Sequence, residues 1–208
     1  MINEMAYPQS FNMEEFKQLT SYRKRIAYCD KHLEEIGAGS SRVVYKIDDD
    51  KCLKLAKNDL GLAQNETEDE PYYRNSDLFT IVYDNDEEYL WIEAELARPA
   101  KKSDFKEICG YSFDVICDWI NYCYNSCHHI SQHVKVENKE LFNSDEFDDN
   151  YEYSIFAMLQ EYIGDWQLKN TGDLKRISSW GVVTRDGTNE LVLLDYGFND
   201  KVAKLYYE

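Results

Sequence analysis

The chain has 208 residues, 43% of them hydrophobic and 14% aromatic, a composition that belongs to a folded globular protein and not to a disordered one. Forty Asp and Glu against 23 Lys and Arg give a net charge of −17, which repels nucleic-acid backbones and excludes a broadly basic binding surface. No apolar run approaches the roughly 18–20 residues of a bilayer span, and residues 1–20 lack a basic stretch followed by an apolar one, so the expected location is the cytoplasm.

In chain order, Phe11, Phe16, Leu19, Tyr22 and Ile26 recur at near-helical spacing, with Asn12 as a cap before Glu14 and Glu15, and predict one helix over 10–29. Two short extended pieces, 32–36 and 42–47, flank a glycine turn, and a polar turn at 48–50 leads to a strand at 52–56. A helix follows from Asn58 to about Glu70, stopped by Pro71. Alternating strands at 78–83 and 89–94 join through the acidic turn 84–88, so 33–95 predicts a sheet of about five strands with one helix. Residues 99–103 predict a linker. Helical patterns follow at 105–108, at 113–130 and at 153–163, with an exposed acidic loop over 134–150 between the last two. A closing hairpin spans about 180–195 (Val182, Val183, Leu191, Val192). Sheet first, helices second and a hairpin last predict a bilobal α+β protein: an N-terminal helical extension at 1–32, a sheet lobe at 33–98 and a helical lobe at 99–208, with a cleft near the linker.

Four pieces of this chain carry residue types suited to phosphate chemistry. Gly37-Ala38-Gly39-Ser40-Ser41-Arg42-Val43-Val44 puts two glycines where a backbone can approach phosphates, with Val44 placed to cover a flat apolar ring. The alternative is a tight turn that needs positive φ. Lys54 sits inside the apolar strand Cys52-Leu53-Lys54-Leu55-Ala56, where an ammonium must be exposed or paired. Glu66 and Glu68 on the following helix point to different faces. Glu68 is the favoured partner because Gln64 and Asn65 flank it at helical spacing. Near the other end come Gly172-Asp173-Leu174-Lys175 and, after a buried strand, Asp195-Tyr196-Gly197. Each motif alone reads equally as an ordinary turn.

In this order the four pieces resemble a stripped-down protein kinase or aminoglycoside phosphotransferase, and in pattern the short phage-encoded kinase-like proteins, over about residues 33–205. The resemblance implies a minimal kinase-like fold. It also implies that the Gly37, Gly39, Ser40 and Ser41 turn, Val44, Lys54 and Glu68 bind ATP, with Lys54 on the α- and β-phosphates. Asp173 would orient the acceptor hydroxyl, Lys175 would neutralise the transferring phosphate, and Asp195 would hold Mg2+. Three positions depart from the pattern. Arg42 stands at the third glycine, where it could contact a phosphate. Thr171 stands at the family's histidine. Ser178 stands at the Asn that is the second metal ligand, where a hydroxyl holds magnesium more weakly. With 11 residues after Gly197 no peptide platform is expected, so the acceptor would be a small molecule or a docked protein.

The expected function is therefore an ATP–Mg-dependent phosphotransferase of unknown acceptor. The alternatives are a pseudokinase-like binding protein and an acidic inhibitor that imitates nucleic acid toward a basic partner. The acidic runs at 48–50, 66–70, 84–88 and 145–149 fall in four separate places, which suits solvated loops better than one anionic face. The six cysteines are expected as reduced, buried thiols. Cys117, Cys123, Cys127, His128, His129 and His133 lack the two separated pairs typical of a zinc site.

Overall fold

Asn12 and Ser21 each start a helix by accepting backbone N–H groups. The Asn12 side chain takes those of Glu14 and Glu15 at 2.9 and 3.2 Å, and Ser21 takes that of Lys24 at 3.3 Å. The computed structural model, which describes residues 7–127, 133–145, 147, 151, 154–165, 168, 171–194, 196 and 202, thus has two helices where the periodicity predicted one. They are α1 (Met13–Lys17) and α2 (Tyr22–His32). The Ser21 cap interrupts the apolar repeat, because a cap residue takes an extended backbone that no continuous helix can hold. The described residues fall into two compact units, one from Met1–Asn75, Thr80–Leu96 and Tyr196–Glu208, the other from Ser76–Phe79 and Ala97–Asp195.

The first unit is built on an antiparallel sheet of β1 (Glu34–Ala38), β2 (Arg42–Lys46), β3 (Lys51–Ala56), β4 (Val82–Asn85) and β5 (Trp91–Glu95), in the order β1-β2-β3-β5-β4. Strand alternation gives it two different faces. Val43, Tyr45, Leu53, Leu55 and Trp91 form one core with Phe11, Phe16, Cys29 and Leu33, so α1 and α2 belong to the sheet they cover. The opposite face carries Arg42, Val44 and Lys54, with Val44 directly opposite Lys54 in the register. Helix α3 (Asp59–Glu68), capped by Asn58 on the Gly61 N–H at 3.1 Å, packs on β3. α3 ends at Glu68, ahead of Pro71 as expected, and Pro71 then opens α4 (Pro71–Arg74), since a first-turn proline lacks only an N–H that the helix leaves unused.

The second unit contains a three-stranded antiparallel sheet, β6 (Arg98–Pro99), β7 (Trp180–Arg185) and β8 (Thr188–Leu193). Asp186 and Gly187 turn the β7–β8 hairpin at φ 50° and 80°, as a two-residue loop with both φ positive requires. Pro99, expected in a linker, pairs with Gly181 as Arg98 before it pairs with Val182, and the backbone N–H of Ala100 extends the pairing to the Trp180 carbonyl. A helix already begins at Lys102. The apolar run 78–83, expected as one strand, is divided between units. The Leu78 carbonyl accepts the Leu193 N–H at 2.8 Å in the second unit, and β4 starts only at Val82.

Helices α5 (Lys102–Cys109), α6 (Phe113–Cys127), α7 (Lys139–Phe142) and α8 (Ile155–Asp165) complete the second unit, α7 lying where a loop was expected. α6 packs on α8, and the Trp119 indole N–H donates to the Phe156 carbonyl at 2.8 Å. Among the described residues no helix is long and apolar enough to cross a membrane. All six cysteines are free thiols, but only Cys29, Cys52 and Cys123 are buried; Cys109 and Cys117 are half-buried, and Cys127, the last residue of α6, is exposed. His128 and His129 lie outside the described residues, among which no group of three or more potential ligands could hold a metal.

Candidate functional site

In the first unit, the site begins with a close approach. A Cβ at Gly61 would stand 2.3 Å from the Ser41 carbonyl oxygen and 3.0 Å from Ala56, so only glycine lets α3 lie this near the sheet. Seven residues later, on the same helical face, Glu68 is delivered onto the sheet face that carries Arg42 and Lys54. Glu68 is fully buried, and Arg42 and Lys54 are 8% and 6% exposed. The Lys54 ammonium donates to Glu68 Oε2 at 2.6 Å, and Arg42 Nη1 stands 2.7 Å from Oε1 as an ion-pair contact. Glu66 is exposed, so the glutamate facing Lys54 is the favoured one of the two.

Burial alone would push the Glu68 carboxyl up, but the charges of Arg42 and then Lys54 outweigh it and hold it below the ordinary range. Asn65, buried between them, accepts from Arg42 at 3.3 Å and donates to the Tyr89 carbonyl at 2.9 Å. Ser41 donates to Gln64 at 2.5 Å. α3 therefore meets the sheet through Gly61, Gln64, Asn65 and Glu68, a mostly polar seam. Arg42, expected as a possible phosphate contact, points to Glu68.

Tyr196, 142 residues after Lys54, completes the cluster from the far end of the sequence. Its ring lies 5.6 Å from the Lys54 ammonium and 5.1 Å from the Tyr73 ring, and its hydroxyl donates to the Thr80 carbonyl at 2.9 Å. Burial, more than the nearby Glu68 charge, raises its phenol well above the ordinary value, so it stays a neutral donor.

The glycine turn is closed by hydrogen bonds from Gly39 N–H to the Arg42 carbonyl at 2.9 Å and from Lys57 N–H to the Ser41 carbonyl at 2.8 Å. The Lys57 ammonium donates to the Gly39 carbonyl at 2.8 Å, and the Asn58 side chain donates to the Ser40 carbonyl at 3.2 Å. The Gly39 N–H is thus spent inside the turn. Neither Gly37 nor Gly39 is among the glycines with positive φ. A Cβ at Gly37 would meet nothing within 4 Å, and one at Gly39 only the Arg42 carbonyl at 3.9 Å. Backbone geometry does not require these glycines, which leave a bare surface beside Val44.

The second unit holds Asp173, Lys175 and Ser178 on two consecutive 3-10 turns, Asp173–Lys175 and Ile177–Ser179. The Trp180 indole N–H fixes the first turn by donating to the Leu174 carbonyl at 2.8 Å, while Leu174 is buried. The second turn is tied to the hairpin by the Leu194 N–H on the Ser179 carbonyl at 2.9 Å. Asp173 is exposed and pairs with Arg176 at 3.0 Å. Lys175 is half-buried, its ammonium donating to the Asn121 side chain on α6 at 2.8 Å. Ser178 is exposed, and Asp195 lies outside the described residues.

Arg42 as a partner of Glu68, Lys57 as a contact that closes the glycine turn, Tyr196 as the ring beside Lys54 and Arg176 as the neighbour of Asp173 went unrecognised in the sequence. The usable signal was polar residues at helical spacing on α3, which already singled out Gln64, Asn65 and Glu68.

No protein-family model and no curated protein sequence matches the chain. Among solved structures it is similar to the ternary complex of APH(2")-IIa with streptomycin and ATP, at 13% identity and a TM-score of 0.37, over 88% of this chain and 73% of that one.

Proposed function

We propose that this protein is a minimal phosphotransferase of kinase-like fold that uses ATP. The observation that carries the reading is the buried Lys54–Glu68 pair, joined by Arg42 on the sheet face that is not covered by α1 and α2. Buried ion pairs stabilise folds poorly, because desolvation consumes most of the Coulomb gain and well-packed apolar residues would serve as well. Charge kept in such a place is better explained by a charged ligand. The bare glycines at 37 and 39, and Val44 opposite Lys54, fit phosphates and an adenine ring on that face.

In this reading Lys54 binds the α- and β-phosphates and Glu68 holds it in place. The turn of Gly37, Gly39, Ser40 and Ser41 covers the nucleotide. Asp173 takes the proton of the acceptor hydroxyl as its oxygen bonds to the γ-phosphorus and the bond to the ADP oxygen breaks. Asp195 and Ser178 would hold magnesium, which supplies positive charge to the transferring phosphate. The acceptor is a small molecule or a docked protein, and nucleic acid is disfavoured by the net charge of −17. A second reading, a pseudokinase that binds but does not transfer, is favoured by one observation: the Lys175 ammonium is engaged by Asn121.

Thermal unfolding with ATP, with and without magnesium, tests both. A ligand at about 100 times its Kd stabilises the native state by about 2.7 kcal/mol. At roughly 2–4 °C per kcal/mol for a chain of this size, the midpoint should rise by roughly 5–11 °C. Lys54→Met should abolish the rise. Asp173→Asn should keep it while removing phosphate transfer. No rise at millimolar ATP would end the nucleotide reading, and a rise without transfer to any acceptor would establish the second.

A further inference from the structure

The second unit contains a cavity of about 360 Å³, at the lower end of the size range of small-molecule sites. Among the described residues, its wall takes none from 171–179, the segment with Asp173. Glu190, which does line it, pairs with Val183 in mid-hairpin. Leu191 lines it too, and Leu194, tied to Ser179, lies three residues beyond Leu191, about 10 Å at a strand's rise. The cavity is therefore separate from the proposed catalytic turn.

One wall is aromatic. Tyr111, Phe147 and Phe156 surround one another with ring centroids 4.9–6.3 Å apart. Two carboxylates, Asp77 and Glu190, also line the cavity and share one guanidinium. Arg185 lies 3.1 Å from Glu190 and 3.8 Å from Asp77, and it also donates to the Asp77 and Phe79 carbonyls at 3.1 and 2.7 Å. Two negative charges to one positive leave the site anionic, and Asp77 is 85% exposed, open to a ligand at the rim.

We infer that this cavity binds a small organic cation with an aromatic or apolar body, an arylalkylamine in chemical class. Its ammonium would meet Asp77 and Glu190, and its body would lie against the three rings. The ring faces attract a cation further, and the carboxylates reject anions. A polyhydroxylated ligand would leave its hydroxyls unpaired against the aromatic wall.

The test is calorimetric titration of the whole protein with 2-phenylethylamine and with 2-phenylethanol, its neutral isostere. The amine should bind at least about tenfold more tightly. Glu190→Gln should narrow that preference. Ile108→Trp, which fills the cavity, should abolish binding of both, with circular dichroism verifying the fold; Met158→Trp fills it from α8 if the first variant does not fold. Asp173→Asn, although it should remove phosphate transfer, should leave the affinity for the amine unchanged. Equal affinity for amine and alcohol, no amine binding below roughly 10 mM, binding that survives a folded filled variant, or loss of binding in Asp173→Asn would each overturn the inference.

Discussion

Glu68→Gln keeps the shape of the side chain and removes the one negative charge placed between Arg42 and Lys54. Breaking a buried ion pair by deleting one partner costs about 3–5 kcal/mol, because the surviving charge stays buried without compensation. Glu68→Gln deprives two cations at once and should fall at the upper end of that range, a large share of the roughly 5–15 kcal/mol by which native proteins are stable. Lys54→Met should cost less, since Arg42 remains 2.7 Å from the carboxylate. The pH dependence has a defined sign. Although burial opposes it, Arg42 and Lys54 hold the Glu68 carboxyl below its ordinary 4.5, so its contribution is complete above that pH and is lost as pH falls through the lowered value. The gap between wild type and Glu68→Gln should therefore be widest at neutral pH and close on acidification. Urea unfolding followed by the fluorescence of the buried tryptophans, from pH 7 downward, measures it. A loss below about 1 kcal/mol, or a larger loss in Lys54→Met than in Glu68→Gln, would refute the reasoning.

Gly61→Ala should destabilise the protein despite alanine's helix preference of about 1 kcal/mol, because its Cβ would collide with the Ser41 carbonyl; Gly37→Ala and Gly39→Ala should leave the urea midpoint unchanged and weaken only the response to ATP. Trp180→Phe removes the indole N–H from the Leu174 carbonyl and leaves that buried acceptor unpaired; it should cost about 1–3 kcal/mol and lower phosphate transfer more than nucleotide affinity. Asp104 is held down to about 2, chiefly by its hydrogen bonds from Arg98 at 2.7 and 2.9 Å and then by the Lys101 N–H. Its contribution is complete above about 4 and vanishes as pH falls through about 2, so the stability difference between wild type and Asp104→Asn, read by urea titration, should shrink over that window.

Much of the first unit was legible because period-two alternation in 42–56 marks both faces of a sheet. The kinase resemblance implied a helix glutamate as the partner of Lys54, and helical spacing favoured Glu68 over Glu66 for it. Arg42 stood out only as the residue at the third-glycine position, and its contact with Glu68 was hidden because it takes the register, which sets Arg42 diagonally across from Lys54, to show that both reach one carboxylate. Gly61 was silent because a helical glycine looks like a mere loss of propensity until a carbonyl is seen 2.3 Å from its missing Cβ. A two-residue strand such as β6 is shorter than any periodicity can register. The run 78–83 misled because its Leu78 and Phe79 are buried in one unit and its Val82 in the other, which a single apolar pattern cannot separate. For the proposed chemistry, Asp173 and Ser178 were placed by motif order, whereas the grip of Asn121 on Lys175 spans 54 residues and no local pattern carries it.

Tyr196 also bears on how the chain is made. The five-stranded sheet, α3 and both cations of the first cluster are encoded before residue 96, but the ring beside the Lys54 ammonium is translated only after the second unit's helices and hairpin. On the ribosome the first unit must therefore wait without that ring until residue 196 has emerged. Synthesis stopped ahead of residue 196 would yield a protein that encodes every described strand but whose Lys54 lacks the contact with Tyr196. The proposed competence to bind a nucleotide would then be acquired only when residue 196 has joined, and not with the segment that contains the lysine.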